Sequence, residues 1–127
     1  SLVPKSYIVS GISMEPTFQT GDSVVYEKGE IQRGDVVLVR VNGMVLIKRV
    51  IGIGGDTIVI SNGNVYRNGM LLDEPYALID HSSLSITTVP DNEIFVLGDN
   101  RANSSDSRNW GTIPASACLG IIITSSQ

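Results

Sequence analysis

The chain has 127 residues, a net charge of −4 at pH 7, 42% hydrophobic residues and 17% charged residues. This length suits a single domain over residues 1–127 with one core, and such a composition excludes intrinsic disorder. Acidic residues outnumber basic ones and the basic residues do not cluster, which indicates no nucleic-acid partner. The single cysteine, Cys118, excludes an intramolecular disulfide.

Hydrophobic residues alternate with period two, or form short β-branched runs, along most of the chain, which predicts β-strands. The predicted strands are, in chain order, residues 7–9, 35–41, 45–51, 57–60, 65–67, 70–72, 93–97 and 119–123. Tight turns are expected at the Asn-Gly pairs 42–43 and 68–69 and at residues 61–64.

Little helix is expected, with at most one short piece at residues 114–117, and the polar residues 80–85 are typical of a loop. Closely spaced strands with turn signals between them predict an all-β antiparallel fold, either a sandwich or a partly closed barrel.

Ser13 lies at the corner where the first predicted strand gives way to a turn, between Gly11 and Pro16. A hydroxyl at such a corner is accessible to a neighbouring base, which is what a nucleophilic serine requires. A serine in a Gly/Pro turn is, on its own, more often only a turn residue.

Lys48 lies in a predicted strand and shares a face with Met44, Leu46 and Val50. Burial among apolar side chains disfavours the charged ammonium and lowers the pKa of a lysine. Reaching the range useful for a general base, from about 10.4 to roughly 7–8, costs roughly 4 kcal/mol. The alternatives are an edge-strand lysine that blocks aggregation, or one that extends its ammonium to solvent.

Four segments in this order resemble motifs of the bacterial type I signal peptidases, which are membrane-bound serine proteases. Residues 11–17 resemble the nucleophile motif, residues 33–37 the following strand, and residues 48–56 the general-base motif. Residues 98–108, followed by Trp110-Gly111 and Pro114, resemble the long C-terminal motif. The resemblance covers nearly the whole chain and implies the β-fold shared by signal peptidases and LexA-type proteases.

The resemblance implies a catalytic dyad of Ser13 as nucleophile and Lys48 as base, with Ser104 orienting the lysine amine. The backbone N–H of Ser13 would be one donor to the oxyanion. Many family members have a second donor serine two residues before the nucleophile, where this chain has Gly11. The backbone there, Ser10 or a water molecule are the remaining candidates.

Four charged residues near Ser104 have two interpretations, as catalytic acids or as a scaffold. They are Asp99, Arg101, Asp106 and Arg108. A scaffold of charge-assisted hydrogen bonds that holds the Ser104 loop is favoured, because the dyad leaves no role for a further acid. Arg49, which faces away from Lys48 by strand alternation, could join this network.

The function implied by the resemblance is cleavage of signal peptides from exported pre-proteins at the extracytoplasmic face of the cell membrane. It implies a preference for Ala-X-Ala before the cut and an N-terminal membrane anchor that precedes Ser1. Met14 and Phe18 flank the catalytic corner and are predicted to contact the lipid surface. No cofactor is expected, and no Cys/His cluster or carboxylate spacing suggests a metal.

Other interpretations remain for particular residues and for the whole chain. A Ser-His-Asp triad would have to use the only histidine, His81, while Cys118 suits a small buried residue better than a nucleophile. Arg33-Gly34-Asp35 could be an adhesion motif, although it lies where a turn and strand are expected. The alternative functions are a LexA-type self-cleaving protease and a signal-peptidase-like pilus-assembly chaperone, and the presence of both Ser13 and Lys48 argues against the chaperone.

Overall fold

The computed structural model of the protein describes residues 3–126, and the side chains of residues 3–123. Eleven strands are present in that part of the chain: β1 (Lys5–Ile8), β2 (Ser23–Glu27), β3 (Val36–Val41), β4 (Met44–Ile53), β5 (Thr57–Ser61), β6 (Asn64–Arg67), β7 (Met70–Leu71), β8 (Leu84–Thr88), β9 (Glu93–Leu97), β10 (Ile113–Pro114) and β11 (Cys118–Ser126). Helix is limited to one α-helical turn, α1 (Ser107–Trp110), and two 3₁₀ turns (Arg101–Asn103 and Ala115–Ala117).

The strands form two open sheets. The larger sheet has the order β1-β2-β11-β3-β4-β9-β10, and the smaller has the order β7-β6-β5-β8. Neighbouring strands in both sheets run antiparallel. The prediction of an all-β antiparallel fold with little helix is therefore confirmed, and the sheets do not close into one barrel.

The predicted hairpin turns are present, because asparagine and glycine supply the left-handed backbone that such turns require. Asn42 and Gly43, between β3 and β4, have φ angles of 51° and 77°. Asn68 and Gly69, between β6 and β7, have φ angles of 54° and 81°. The first of these turns sets Val37 opposite Lys48 and so fixes the register of the strand that carries the lysine.

Several elements differ from the sequence-based prediction. The strands β2, β8 and β10 were not predicted. β8 begins inside the stretch that is typical of a loop, and β10 ends at Pro114, where the helical piece was expected to begin. Leu84 and Ile86 alternate with polar residues in β8, but the strand is short, three of its five residues are Ser or Thr, and Ile86 is exposed, so the pattern is too weak to mark a half-buried strand. The predicted helical piece is a single 3₁₀ turn, whereas the α-helical turn lies at Ser107–Trp110, where Asp106 and Asn109 form a capping box.

Met14 and Phe18 are buried rather than exposed, with 1% and 8% of their surfaces accessible. Both belong to a core cluster that also contains Val24, Leu38 and Ile47. The prediction that they contact lipid is wrong, because the turn after Ser13 folds back over the larger sheet and uses these side chains as its anchors. Burying two large apolar side chains stabilises the corner by roughly 3–6 kcal/mol in total.

Candidate active site

Ser13 and Lys48 line one cleft with a volume of about 380 Å³. They come together because the turn carrying Ser13 lies beside β4, although the two residues are 35 positions apart in the sequence. The other residues that line the cleft are Gly11, Ile12, Val41, Asn42, Met44, Leu46, Asn103, Ser105 and Trp110. Of the candidates for a second oxyanion donor, Gly11 lines the cleft, while Ser10 is exposed and is not among the lining residues.

The turn that carries Ser13 is held by its own backbone and by the segment after β9. The Glu15 N–H donates to the Ile12 carbonyl at 3.1 Å, and the Phe18 N–H donates to the Met14 carbonyl at 2.9 Å. From the other side, the Asn100 N–H donates to the Ser13 carbonyl at 2.9 Å. The corner that carries Ser13 is thus held by hydrogen bonds from both sides.

Lys48 is buried on β4, with 3% of its surface accessible. Its pKa is lowered chiefly by this loss of hydration, and the positive charge of Arg108 lowers it further, while the negative charge of Asp106 opposes the change. Lys48 Nζ donates a hydrogen bond to Ser104 Oγ at 3.0 Å. The amine is therefore both biased towards its neutral form and held in one direction.

Ser104 connects Lys48 to Asp106. The Ser104 hydroxyl donates to Asp106 Oδ2 at 2.8 Å, so its single proton is committed to the carboxylate and its lone pairs face Lys48. Asp106 also accepts hydrogen bonds from the Gly98 N–H at 3.0 Å and from Arg108 Nε at 2.9 Å. A fixed carboxylate thereby makes Ser104 an acceptor for the lysine.

Gly98 allows the Ser104 loop and the Ser13 corner to approach each other. A Cβ at this position would overlap the Ser104 side chain and would lie 2.7 Å from the Ser13 carbonyl oxygen. Any larger residue at position 98 would therefore push apart the two segments that carry Ser13 and Ser104.

Arg49 and Asp99 form a two-point ion pair beneath the corner. Arg49 Nε and Nη2 donate to the two oxygens of Asp99 at 2.9 and 2.8 Å. Asp99 Oδ2 also accepts from the Thr17 hydroxyl at 2.6 Å, and the Asp99 N–H donates to the Met14 sulfur at 3.4 Å. Arg49 joins the charged network as predicted, and the network ties β4 to the turn that follows Ser13.

Arg101 does not pair with either aspartate of its own segment. Its Nη2 lies 2.7 Å from Glu74 Oε2, and both side chains are 2% exposed. Tyr76 donates to Glu74 at 2.8 Å, and its ring lies 3.9 Å from the Arg49 guanidinium. Glu74 and Tyr76 were missed by sequence analysis, because they lie between β7 and β8, outside the four motifs, and only the fold brings them to Arg101.

The remaining candidate residues lie outside the cleft. His81 is exposed and its Nδ1 lies 3.1 Å from the Asn62 side-chain oxygen. Cys118 is buried, as predicted, and burial raises the pKa of its thiol. Arg33 pairs with Asp56 at 2.6 Å and so takes part in holding the fold.

Neither a metal centre nor a membrane-spanning helix is found in the described part of the chain. Residues 3–126 contain no group of three His, Cys, Asp or Glu side chains placed to hold a metal ion. Within the same residues, no helix has the length and apolar character needed to cross a membrane.

Comparisons with known proteins point to one family. Residues 1–125 match the family model described as signal peptidase, peptidase S26. The chain is 37% identical over 134 residues to the probable signal peptidase I-2 of Synechocystis sp., with 94% of this chain and 62% of that protein covered. It is 39% identical over 120 residues to signal peptidase I S of Bacillus subtilis, with 81% and 65% covered.

A crystal structure of a signal peptidase I from Enterococcus faecalis V583 has a similar fold. The TM-score is 0.68 at 28% sequence identity, and the match covers 76% of this chain and 99% of that one. This chain spans less than two thirds of the length of the two sequence relatives named above.

Proposed function

The chain belongs to the signal peptidase family, peptidase S26, and from this membership we propose that it is a serine endopeptidase that cleaves signal peptides from exported pre-proteins. In this proposal Ser13 is the nucleophile and Lys48 is the general base. The observation that carries it is that a buried lysine with a lowered pKa and a corner serine line the same cleft.

The proposed reaction begins when the neutral amine of Lys48 accepts the proton of the Ser13 hydroxyl as Oγ attacks the scissile carbonyl. The carbonyl oxygen becomes negatively charged, and in this proposal the Ser13 N–H donates a hydrogen bond to it. Collapse of this intermediate breaks the peptide bond, and the Lys48 ammonium gives its proton to the leaving amine. Water, activated by the same amine, then releases the signal peptide from Ser13.

The surroundings of Lys48 favour this proton transfer in two ways. Ser104 holds the Lys48 amine in one direction, and Asp106 keeps Ser104 as an acceptor, so a free electron pair on nitrogen remains for Ser13. Burial lowers the pKa of the Lys48 amine, and the positive charge of Arg108 partly offsets the opposing effect of Asp106. A base that is neutral near the working pH and already oriented needs little rearrangement to react.

The direct test is a cleavage assay in detergent, with a peptide that carries Ala-X-Ala before the cut. The wild-type chain is expected to cut after the second alanine, and Ser13→Ala is expected to leave no product above background while the thermal melt stays unchanged. Cleavage by the Ser13→Ala protein at the wild-type rate would reject this assignment of the nucleophile.

Replacing Ser104 with alanine removes the acceptor that orients Lys48 without removing the base. We expect kcat to fall by about 10- to 1,000-fold, from the loss of one active-site hydrogen bond worth about 1.5–4 kcal/mol. KM should change little, because Ser104 is not among the residues that line the cleft. Steady-state kinetics on the same peptide measure both constants. Complete inactivity in a folded Ser104→Ala protein would instead make Ser104 essential.

The contact with lipid is assigned to exposed apolar residues that line the cleft or precede the Ser13 corner in the chain, in place of Met14 and Phe18. Ile8 at the end of β1 is 58% exposed, and Met44 at the start of β4 is 62% exposed. Ile12, which is also exposed, lines the cleft together with Met44. A substrate embedded in a bilayer would approach such an apolar margin, which supports action at a membrane surface. The extracytoplasmic face is part of the proposal through the resemblance to the family.

The double variant Ile8→Ser/Met44→Ser tests this assignment. Partitioning onto phospholipid vesicles should fall by about 30- to 1,000-fold, since each lost side chain removes about 1–2 kcal/mol of apolar burial and about 1.4 kcal/mol corresponds to a factor of ten. Sedimentation of protein with vesicles measures the effect, and Ile86→Ser, at an exposed position of the smaller sheet, is the matched control. Equal partitioning of the double variant and the wild type would exclude this face as the lipid contact.

A further inference from the structure

Asn100 holds the backbone on both sides of the nucleophile. Its own N–H donates to the Ser13 carbonyl at 2.9 Å, and its side-chain Nδ2 donates to the Ile12 carbonyl at 3.1 Å. Its Oδ1 accepts from Asn103 Nδ2 at 3.2 Å, which keeps the amide turned with its NH₂ towards Ile12. Asn100 is buried, so these contacts are protected from competition by water.

The contact with Ile12 determines more than the position of a carbonyl group. The peptide unit between Ile12 and Ser13 is planar and trans, so the Ile12 carbonyl and the Ser13 N–H point in opposite directions within one rigid peptide plane. The Ile12 carbonyl is held by Asn100 Nδ2 and by the Glu15 N–H. Whatever fixes this carbonyl therefore also fixes the direction of the Ser13 N–H.

The Ser13 N–H is free to bind a ligand. Among residues 3–126 it has no protein acceptor, and the segment to which it belongs lines the cleft. An N–H that is held in direction but unpaired is the arrangement that stabilises a negatively charged oxygen in a transition state. The donor must be aligned in advance, because reorganisation during the reaction would remove most of its benefit.

We propose that the side chain of Asn100 is a positioning residue that aims the Ser13 N–H at the oxyanion. This inference rests on the proposed function and adds a residue to it. Without the Asn100 side chain, the Ile12 carbonyl still accepts the hydrogen bond from the Glu15 N–H. The turn therefore stays folded, but the peptide plane between Ile12 and Ser13 can tilt. The tilt weakens binding of the transition state and leaves binding of the intact peptide nearly unchanged.

Two substitutions separate alignment from folding. Asn100→Ser removes the Nδ2 donor without adding charge, and Asn100→Asp keeps the shape but presents an oxygen to the Ile12 carbonyl. In each variant kcat should fall by about 10- to 100-fold, less than the loss of a whole oxyanion donor, while KM stays within about threefold. The acidic limb of the pH–rate profile should be the same in Asn100→Ser as in the wild type, because Lys48 keeps its surroundings. Asn64→Asp, at an exposed position of β6, is the charge-matched control and should cleave at the wild-type rate.

A peptide aldehyde ending in Ala-X-Ala gives a second readout. The Ser13 hydroxyl adds to the aldehyde carbon to form a hemiacetal, and the former carbonyl oxygen would accept a hydrogen bond from the Ser13 N–H. Its affinity should fall in Asn100→Ser by the same factor as kcat/KM, whereas a non-cleavable peptide should bind as it does to the wild type. Wild-type kcat in both variants, or a loss of aldehyde affinity no larger than that of the non-cleavable peptide, would overturn the proposal.

The wild-type protein provides a test that does not depend on the variants folding. The Ser13 amide proton should move downfield in the NMR spectrum when the aldehyde binds, as expected for a donor to a charged oxygen. An unchanged Ser13 amide signal would overturn the role of this N–H, and with it that of Asn100. Cleavage by the wild type and its loss in Ser13→Ala would still stand, so the two proposals can fail separately.

Discussion

Replacing Lys48 with methionine is expected to abolish cleavage and also to make the folded protein more stable. Cleavage is lost because methionine cannot accept the proton of Ser13. Stability rises because Lys48 is buried and its ammonium loses hydration on folding. Replacing a buried charge by an apolar side chain of similar length is expected to add about 1–4 kcal/mol to the free energy of unfolding.

The gain in stability should depend on pH in a definite direction. The pKa of Lys48 is lowered in the folded protein, so between that pKa and the unfolded value of about 10.4 the unfolded chain binds one more proton. The wild type therefore becomes more stable as pH rises through this window. The advantage of Lys48→Met should be largest below the folded pKa and should shrink as the pH approaches about 10.4.

Urea denaturation of both proteins at several pH values measures the difference in unfolding free energy, and the peptide assay measures the activity. Lys5→Met, at an exposed position of β1, is the control and should change neither quantity by more than a small amount. Retained cleavage in Lys48→Met would show that another group is the base. A stability difference that grows with pH would contradict the lowered pKa.

Replacing Glu74 with alanine should destabilise the protein by about 3–5 kcal/mol, the typical cost of leaving one charge of a buried pair without its partner. The charge left behind would be Arg101, which donates to both Glu74 oxygens and is itself buried. The Tyr76 hydroxyl would lose its acceptor as well. Because Arg101 also donates to the Gly98 carbonyl, activity should fall together with stability.

The double variant Glu74→Leu/Arg101→Met distinguishes the cost of an unpaired charge from the value of the pair. It should recover most of the lost stability, since neither charge remains to be buried. Glu30→Ala, at an exposed position, is the control for loss of a carboxylate. Chemical denaturation measures all the variants, and a loss below about 1 kcal/mol in Glu74→Ala would mean that Arg101 finds another partner.

The residues of the candidate site could largely be identified from sequence, because each lies inside a motif. Ser13 lies in a turn bounded by glycine and proline, and Lys48 lies in a strand whose face can be read from alternation. The turns at residues 42–43 and 68–69 could also be predicted, because an Asn-Gly pair by itself favours the backbone conformation of a tight hairpin turn.

What could not be predicted depends on contacts between distant parts of the chain. An apolar residue in a turn can face solvent or the core, and nothing near Met14 or Phe18 in the sequence indicates that the corner folds over the larger sheet. Glu74 is 27 residues from Arg101 and lies in no recognisable motif. The mostly exposed strand β8 is fixed by pairing with β5 rather than by its own hydrophobic pattern.

The burial of Cys118 gives this protein a built-in reporter for measurements in lipid. Its thiol lies at the start of β11, where Cys118 pairs with Val39 of β3, so a labelling reagent can reach it only when these strands separate. The raised thiol pKa also keeps it largely unreactive while the protein is folded. The alkylation rate would therefore follow strand opening, even on vesicles whose light scattering defeats optical melting curves.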